Sequence, residues 1–240
     1  MNLIDNPFAQ GKVLLVNKPL RWTSFNVVSK IRYLSKTKKV GHAGTLDPLA
    51  TGLLIVCTGK FTKKINEYMA QEKEYTGTIT LGSVTPTFDL ESEPMDFKDY
   101  SQLTESDIEA ATVPFTGLIY QKPPIHSAIK KDGKRVYELA RKGIEVEMEA
   151  RPVTIKVFEI TGIDMPLVHF RVVCSTGTYI RSLANDFGAA LGVGGHLSAL
   201  CRTRIGAFTL NQSQTVEELE QTIPAERLAG SVGQEEGKGE

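Results

Sequence analysis

The sequence is poor in cysteine. Cys57, Cys174 and Cys201 are odd in number, far apart and without a CxxC or a histidine at ligand spacing. That leaves no disulfide framework and no zinc site to expect, and the three read as small buried hydrophobes. Long apolar runs are missing too: nothing approaches the roughly 18 consecutive apolar residues of a membrane span. The opening MNLIDNPFAQ has neither the basic start nor the apolar run of a secretory leader. A cytoplasmic protein with no membrane attachment is therefore expected. GxGxxG is absent, as are GxxxxGKS and GxxxxGKT, so a dinucleotide or P-loop site has no support, and neither GxSxG nor HExxH occurs.

What is present is an ordinary globular composition: 240 residues, 41% hydrophobic and 23% charged. This length suits one large domain or two small ones, either able to bury a sizeable core. The net charge of zero, 28 basic against 28 acidic residues, is a cancellation of blocks. Residues 1–90 hold 12 basic and 6 acidic side chains, 91–120 hold 1 and 7, 121–210 hold 13 and 8, and 211–240 hold 2 and 7. Lys30, Arg32, Lys36, Lys38 and Lys39 crowd one acid-free stretch, followed by Lys60, Lys63 and Lys64. Such a patch can bind a polyanion, because each neutralised phosphate releases condensed counterions. A solvated surface is the alternative.

The apolar spacing predicts a buried strand over 12–17 and a helix from Thr23 through Leu34, capped by Thr23 or Ser24. VGHAGTLDPLATG is too rich in Gly, Pro and Thr to be regular and runs into a strand over 53–57. A helix over 60–70, a strand over 75–81, an exposed acidic loop over 82–100 and a short helix over 105–111 follow. Beyond Pro123 and Pro124 a helix is predicted over 136–142, stopped by Gly143. Residues 153–161 and 168–175 should pair as antiparallel strands, followed by a helix over 179–191 and a last strand over 204–210. The best strand pairs are sequence neighbours, so the expected class is α+β, a mixed and mostly antiparallel sheet flanked by helices. The expected organisation is a catalytic domain over 1–210, a short helical extension over 211–230 and a disordered tail over 231–240.

The segment from Gly41 to Gly52 is where chemistry concentrates. Asp47 sits between Leu46 and Pro48, five residues after His42, and Gly41, Gly44 and Gly52 let a backbone or a base pass close by. Asp before Pro is also a common turn starter. A carboxylate in an apolar turn needs a cationic partner or a proton. With no second acid and no metal ligand beside it, Asp47 suits a nucleophile better than half of an acid–base pair. Arg181, on the apolar helix after Gly177, Thr178 and Tyr179, is the cation to nominate, with an ordinary surface arginine as the alternative.

These residues resemble a known family. KVGHAGTLDPLATGLL (Lys39 to Leu54) is similar to the aspartate motif of the TruB-type pseudouridine synthases, which modify uridine 55 in the T-loop of tRNA. LLVNKPLRWTS, from Leu14, resembles the family's N-terminal KP motif, YTGTITLG its tyrosine strand and TPTFD the segment after it. QKPPIHSAIKKDGKRVYELARKG resembles its central motif, and CSTGTYIRSLANDFGAALGVGGHLSALCRT its arginine motif. The similarity runs in family order from about Lys12 to Phe208. It departs at Arg21, where the family usually has Gly, and at Gly195, where it has Ala. The roughly 30 residues after Leu210 are too few for the PUA domain that many members append.

The resemblance implies a pseudouridine synthase fold, a set of roles, and chemistry that requires no metal and no organic cofactor. Asp47 would be the nucleophile that helps break the glycosidic bond, at ribose or base, before the uracil rotates and rejoins through C5. Arg181 would pair with that aspartate, and Tyr75 would stack on the uracil and handle the C5 proton. Tyr179 and Leu200 would line the uracil pocket, His42 would fill space near the flipped nucleotide, and Lys18 would support the site. Base flipping is required because the bond is inaccessible in a stacked loop. The charge block adds Arg32, Lys36, Lys38, Lys39, Lys63 and Lys64 as contacts to the RNA backbone. The expected partner is the tRNA T-arm, met by a monomer with no obligate protein partner. A non-catalytic RNA-binding protein and a base-releasing glycosylase are the rival readings.

Overall fold

A computed structural model describes residues 6–124, 130–131, 134–135 and 148–232. The chain divides into two compact units, Met1–Lys73 with Cys201–Glu240, and Glu74–Leu200. The fold is α+β, and every strand pairing with a described register is antiparallel.

In the first unit, after the short α1 (Pro7–Gln10), β1 (Val13–Lys18) pairs with β3 (Ala50–Thr58), Val13 opposite Cys57 and Lys18 opposite Gly52, and β2 (Val40–His42) pairs with the same strand. β3 is buried on both faces, which is why ATGLLIVCT lacks polar alternation. Its side chains still alternate with period two. Leu54 and Val56 join Val16, with Val27, Val28 and Ile31 of α2 (Ser24–Ser35) and Val216, Leu219 and Ile223 of α6 (Val216–Val232). Leu53, Ile55 and Cys57 face the other way, onto Ala43 and Ile205. Thr23 caps α2: its hydroxyl accepts from the Asn26 N–H at 3.0 Å, while the Asn26 side chain accepts from the Thr23 N–H at 2.8 Å.

The second unit, from Glu74 on, holds nearly all of β4 (Lys73–Leu81), then α4 (Glu105–Ala110), β5 (Gly117–Gln121), the two-residue strands β6 (Lys130–Lys131) and β7 (Lys134–Arg135), β8 (Arg151–Asp164), β9 (Leu167–Cys174), α5 (Ile180–Ala190) and the first part of β10 (Gly195–Ile205). The strands run β10-β4-β9-β8-β5. β8 and β9 form the predicted antiparallel pair, from Ile155 opposite Cys174 to Asp164 opposite Leu167. Phe187 of α5 packs edge-on against Phe158, which does the same to Phe170. At Gly188 a Cβ would lie 2.2 Å from the Gly195 nitrogen, so only glycine lets the helix approach β10 this closely.

Several expectations need correction. The 60–70 helix is a 3-10 helix, Gly59–Lys64, followed by the short α3, Ile65–Met69. The irregular segment 40–52 is regular at both ends, with His42 closing β2 and Ala50 opening β3. The last strand is not 204–210: β10 begins nine residues earlier, at Gly195, and ends at Ile205, and β11 is Phe208–Thr209. Its alternation is hidden because Gly195, His196 and Leu197 are all buried. The acidic 82–100 loop is not simply exposed, since Ser83, Thr85, Thr87 and Asp89 are buried. Cys57 and Cys174 are buried as expected, but Cys201 is only half-buried. The predicted 136–142 helix and the tail beyond 232 lie outside the described residues, and no described helix is long and apolar enough to cross a membrane.

Candidate active site

The first unit carries Asp47, Lys18 and His42. Asp47 is half-buried in the turn between β2 and β3, where its carbonyl accepts from the Ala50 N–H at 3.1 Å. Ser24 holds the residue before it: its hydroxyl accepts from the Leu46 N–H at 2.9 Å and donates to the Leu46 carbonyl at 3.2 Å. A serine in the first helical turn can do both because its hydroxyl is donor and acceptor at once. Lys18, at the end of β1, is 0% exposed. Its ammonium donates to the carbonyls of Trp22 at 2.6 Å and Pro19 at 3.0 Å, with Pro48 at 3.5 Å. One cation thus ties the turn after β1 to the turn holding Asp47. Burial pushes the Lys18 ammonium down to about 8, the Asp47 carboxylate opposes that shift and Arg202 adds to it.

Arg202 was not nominated from the sequence. It lies on β10, 1% exposed. Its Nε donates to the Leu53 carbonyl at 2.8 Å and its Nη2 to the Gly44 carbonyl at 3.1 Å. The planar guanidinium therefore bridges β3 and the loop that leads to Asp47, which a single ammonium could not do. Gly52, at φ 102°, makes the approach possible, since a Cβ there would fall 2.4 Å from the Arg202 carbonyl oxygen. Burial lowers the pKa of His42 below the ordinary imidazole range, and the Arg202 charge acts the same way. A neutral imidazole has no positive charge to offer a phosphate. Arg202 lies just outside the 204–210 strand expected from the sequence, so no local pattern marks it.

The second unit carries Tyr75, Arg181, Tyr179 and Leu200. Tyr75 is buried on β4, and Leu200 is half-buried on β10. Tyr179 caps the start of α5, where the Gln121 side chain binds its backbone twice, accepting from the N–H at 2.8 Å and donating to the carbonyl at 3.0 Å. Arg181 is 5% exposed, so it is no surface arginine. Its Nε lies 3.7 Å from an Asp89 carboxylate oxygen, and its Nη1 donates to the Thr87 carbonyl at 3.3 Å. Asp89, itself buried, ends the TPTFD segment, and neither it nor Gln121 had been given a role.

The basic block divides by environment. Lys30 and Lys12 form ion pairs with Glu220 and Glu226 of α6. Arg32 donates to the carbonyls of Lys38 at 3.2 Å and Val40 at 3.3 Å, so it braces this stretch of backbone. Lys36, Lys38, Lys39, Lys60 and Lys63 line a groove of about 780 Å³ whose lining contains no acidic residue. The exposed Lys64 ammonium stands 4.7 Å over the Phe61 ring. Among the described residues no group of three or more His, Cys, Asp or Glu is placed to hold a metal ion.

Residues 32–180 match the family description "TruB family pseudouridylate synthase (N terminal domain)", and residues 181–231 match "tRNA pseudouridylate synthase B C-terminal domain". The chain is 52% identical to the tRNA pseudouridine synthase B of Flavobacterium johnsoniae, covering 90% of this chain and 97% of that protein. Among solved structures it resembles a chain in the crystal structure of a Cbf5-Nop10-Gar1 complex, with TM-score 0.70 and 30% identity. That match covers 92% of this chain and 56% of the other. A chain of an H/ACA RNP bound to a substrate RNA containing 2'-deoxyuridine is similar at TM-score 0.68 and 27% identity, over 92% of this chain and 59% of that one. The chain thus spans little more than half the length of these structural relatives.

Proposed function

The chain belongs to the TruB family of pseudouridylate synthases, and from that premise we propose that it isomerises uridine 55 in the T-loop of tRNA to pseudouridine. The observation that carries this reading is the Asp47 turn. A half-buried carboxylate is anchored through Ser24, Lys18 and the Gly44 carbonyl. Such anchoring holds a nucleophile at fixed geometry, and two buried cations, Lys18 and Arg202, supply counter-charge to the same turn. Asp47 takes part in cleaving the glycosidic bond of the flipped uridine, and the uracil turns and rejoins the ribose through C5. Tyr75 stacks on the base and handles the C5 proton, Arg181 serves the aspartate, and Tyr179, Leu200 and His42 shape the pocket. Stacking on Tyr75 offsets part of the few kcal/mol, roughly, that unstacking the base costs.

The groove lined by Lys36, Lys38, Lys39 and Lys63, with Lys64 beside it, takes the RNA backbone. The enzyme is read as a cytoplasmic monomer. The test is incubation of an unmodified T-arm minihelix with the protein, followed by nucleoside mass spectrometry. Pseudouridine at the target position is expected, and Asp47→Asn, nearly isosteric but a far weaker nucleophile, should abolish it while RNA binding persists. Release of free uracil would instead make the protein a glycosylase, and turnover by the Asn variant near the parent rate would remove Asp47 from the chemistry.

A further inference from the structure

The turn that Lys18 ties to the Asp47 loop carries an exposed arginine in an unfavourable conformation. Pro19–Trp22 is a four-residue turn in which the Trp22 N–H donates to the Pro19 carbonyl at 3.4 Å. Its third position, Arg21, has φ 65°, the left-handed region that such a turn reserves for glycine. An L-residue persists there only when its surroundings over-determine it, and such outliers gather at functional sites. The Arg21 N–H donates at 2.7 Å to the carbonyl of Pro48, the residue after Asp47. Together with the Lys18 ammonium, which donates to the Pro19 and Trp22 carbonyls and reaches Pro48, this makes the two turns one body.

Whatever the Arg21 side chain grips is therefore held in register with Asp47. The side chain is exposed and, among the described residues, makes no hydrogen bond or ion pair, whereas Lys12, Lys30 and Arg204 are each matched by a carboxylate. Nearby in sequence Leu20 is 53% exposed and Phe25 64% exposed, and the Phe25 ring is an aromatic face of the kind on which unpaired bases stack.

We propose that Arg21 is a positioning residue that binds a backbone phosphate of the RNA next to the target uridine, setting the register of that nucleotide on the Asp47 loop. This rests on the RNA-modifying activity proposed above and adds a contact outside the lysine groove. A guanidinium suits the task because its planar fork matches two phosphate oxygens, and the 2.7 Å backbone bond fixes the root of the side chain. Phosphate contacts position a substrate without entering the chemistry, so the effect should fall on KM more than on kcat.

The test compares Arg21→Gly, Arg21→Ala and Arg21→Lys with the parent, using a T-arm minihelix in salt-dependent binding, steady-state turnover and thermal melts. Glycine suits the turn, so Arg21→Gly should fold with a Tm no lower than the parent's. Its KM should rise about 3- to 10-fold and its salt slope should fall by roughly one unit, the share of one phosphate contact. Arg21→Ala should show the same binding loss with a lower Tm, and Arg21→Lys should recover part of the affinity. Unchanged KM and salt slope in Arg21→Gly would overturn the inference, as would a lower Tm in that variant or clearly different binding by the Gly and Ala variants. A parent that binds the minihelix without isomerising it would refute the proposed activity and leave the Arg21 contact decided by the salt slopes. A parent that does not bind it would refute both.

Discussion

Replacing Arg202 by Met tests whether the buried guanidinium holds the Asp47 loop. Two carbonyls, of Leu53 and Gly44, take hydrogen bonds from this side chain at 2.8 and 3.1 Å, in a site where Arg202 is 1% exposed. Left without a donor, the buried Leu53 carbonyl costs about 1–3 kcal/mol and the part-buried Gly44 carbonyl somewhat less. Against this, Met no longer buries a charge and keeps most of the apolar stem. The net loss should be about 2–4 kcal/mol, a large part of the roughly 5–15 kcal/mol that a domain has. Activity should fall further than stability explains, because freeing the Gly44 carbonyl lets Asp47 drift, and about 1 Å of misplacement costs on the order of 100-fold in rate. Arg202→Lys should keep one carbonyl at most and recover only part of both losses. Urea denaturation followed by circular dichroism gives the stability, and pseudouridine yield under conditions where each variant is folded gives the rate. A Met variant that loses less than about 1 kcal/mol and turns over at the parent rate would refute the clamp.

Lys18→Met should change how stability depends on pH. Burial lowers the Lys18 ammonium to about 8 from 10.5 when unfolded, so between these values the unfolded chain binds the extra proton. The parent should then gain stability relative to the Met variant as pH rises from about 8 to 10.5, by up to about 3 kcal/mol. Parallel stability curves for the two proteins would count against this. Asp89→Asn removes the carboxylate 3.7 Å from the buried Arg181 guanidinium and should lower stability by about 1–3 kcal/mol, seen as a lower Tm; an unchanged melt would mean the pair contributes nothing. Replacing Lys38 and Lys39 together by Gln should reduce the salt slope of minihelix binding by about one to two units and raise KM more than it lowers kcat. Unchanged slope and KM would make these lysines plain solvated surface.

Local chemistry made much of the protein legible in its sequence. The Thr23 cap and the spacing of Val27, Val28 and Ile31 announce α2, and the period-two pattern of 153–161 and 168–175 announces the β8–β9 hairpin, because these signals act within a few residues. Asp47 stood out because one carboxylate lies among Leu46, Pro48, Leu49 and three glycines. Arg202, Asp89 and Gln121 stayed silent because their roles are long-range. Arg202 serves carbonyls of Leu53 and Gly44, 149 and 158 residues away in sequence, while Asp89 meets Arg181 across 92 residues and Gln121 meets Tyr179 across 58. The charge block was visible as composition, yet only the fold separates Lys30, neutralised by Glu220, from Lys38 and Lys39 on the groove. The sequence by itself determined α2, the β8–β9 hairpin and where the candidate nucleophile lies, since propensity, capping and turn chemistry are local. Tertiary structure alone decided which cations are buried against which carbonyls and which line the groove, because burial and charge pairing depend on segments that meet only after folding.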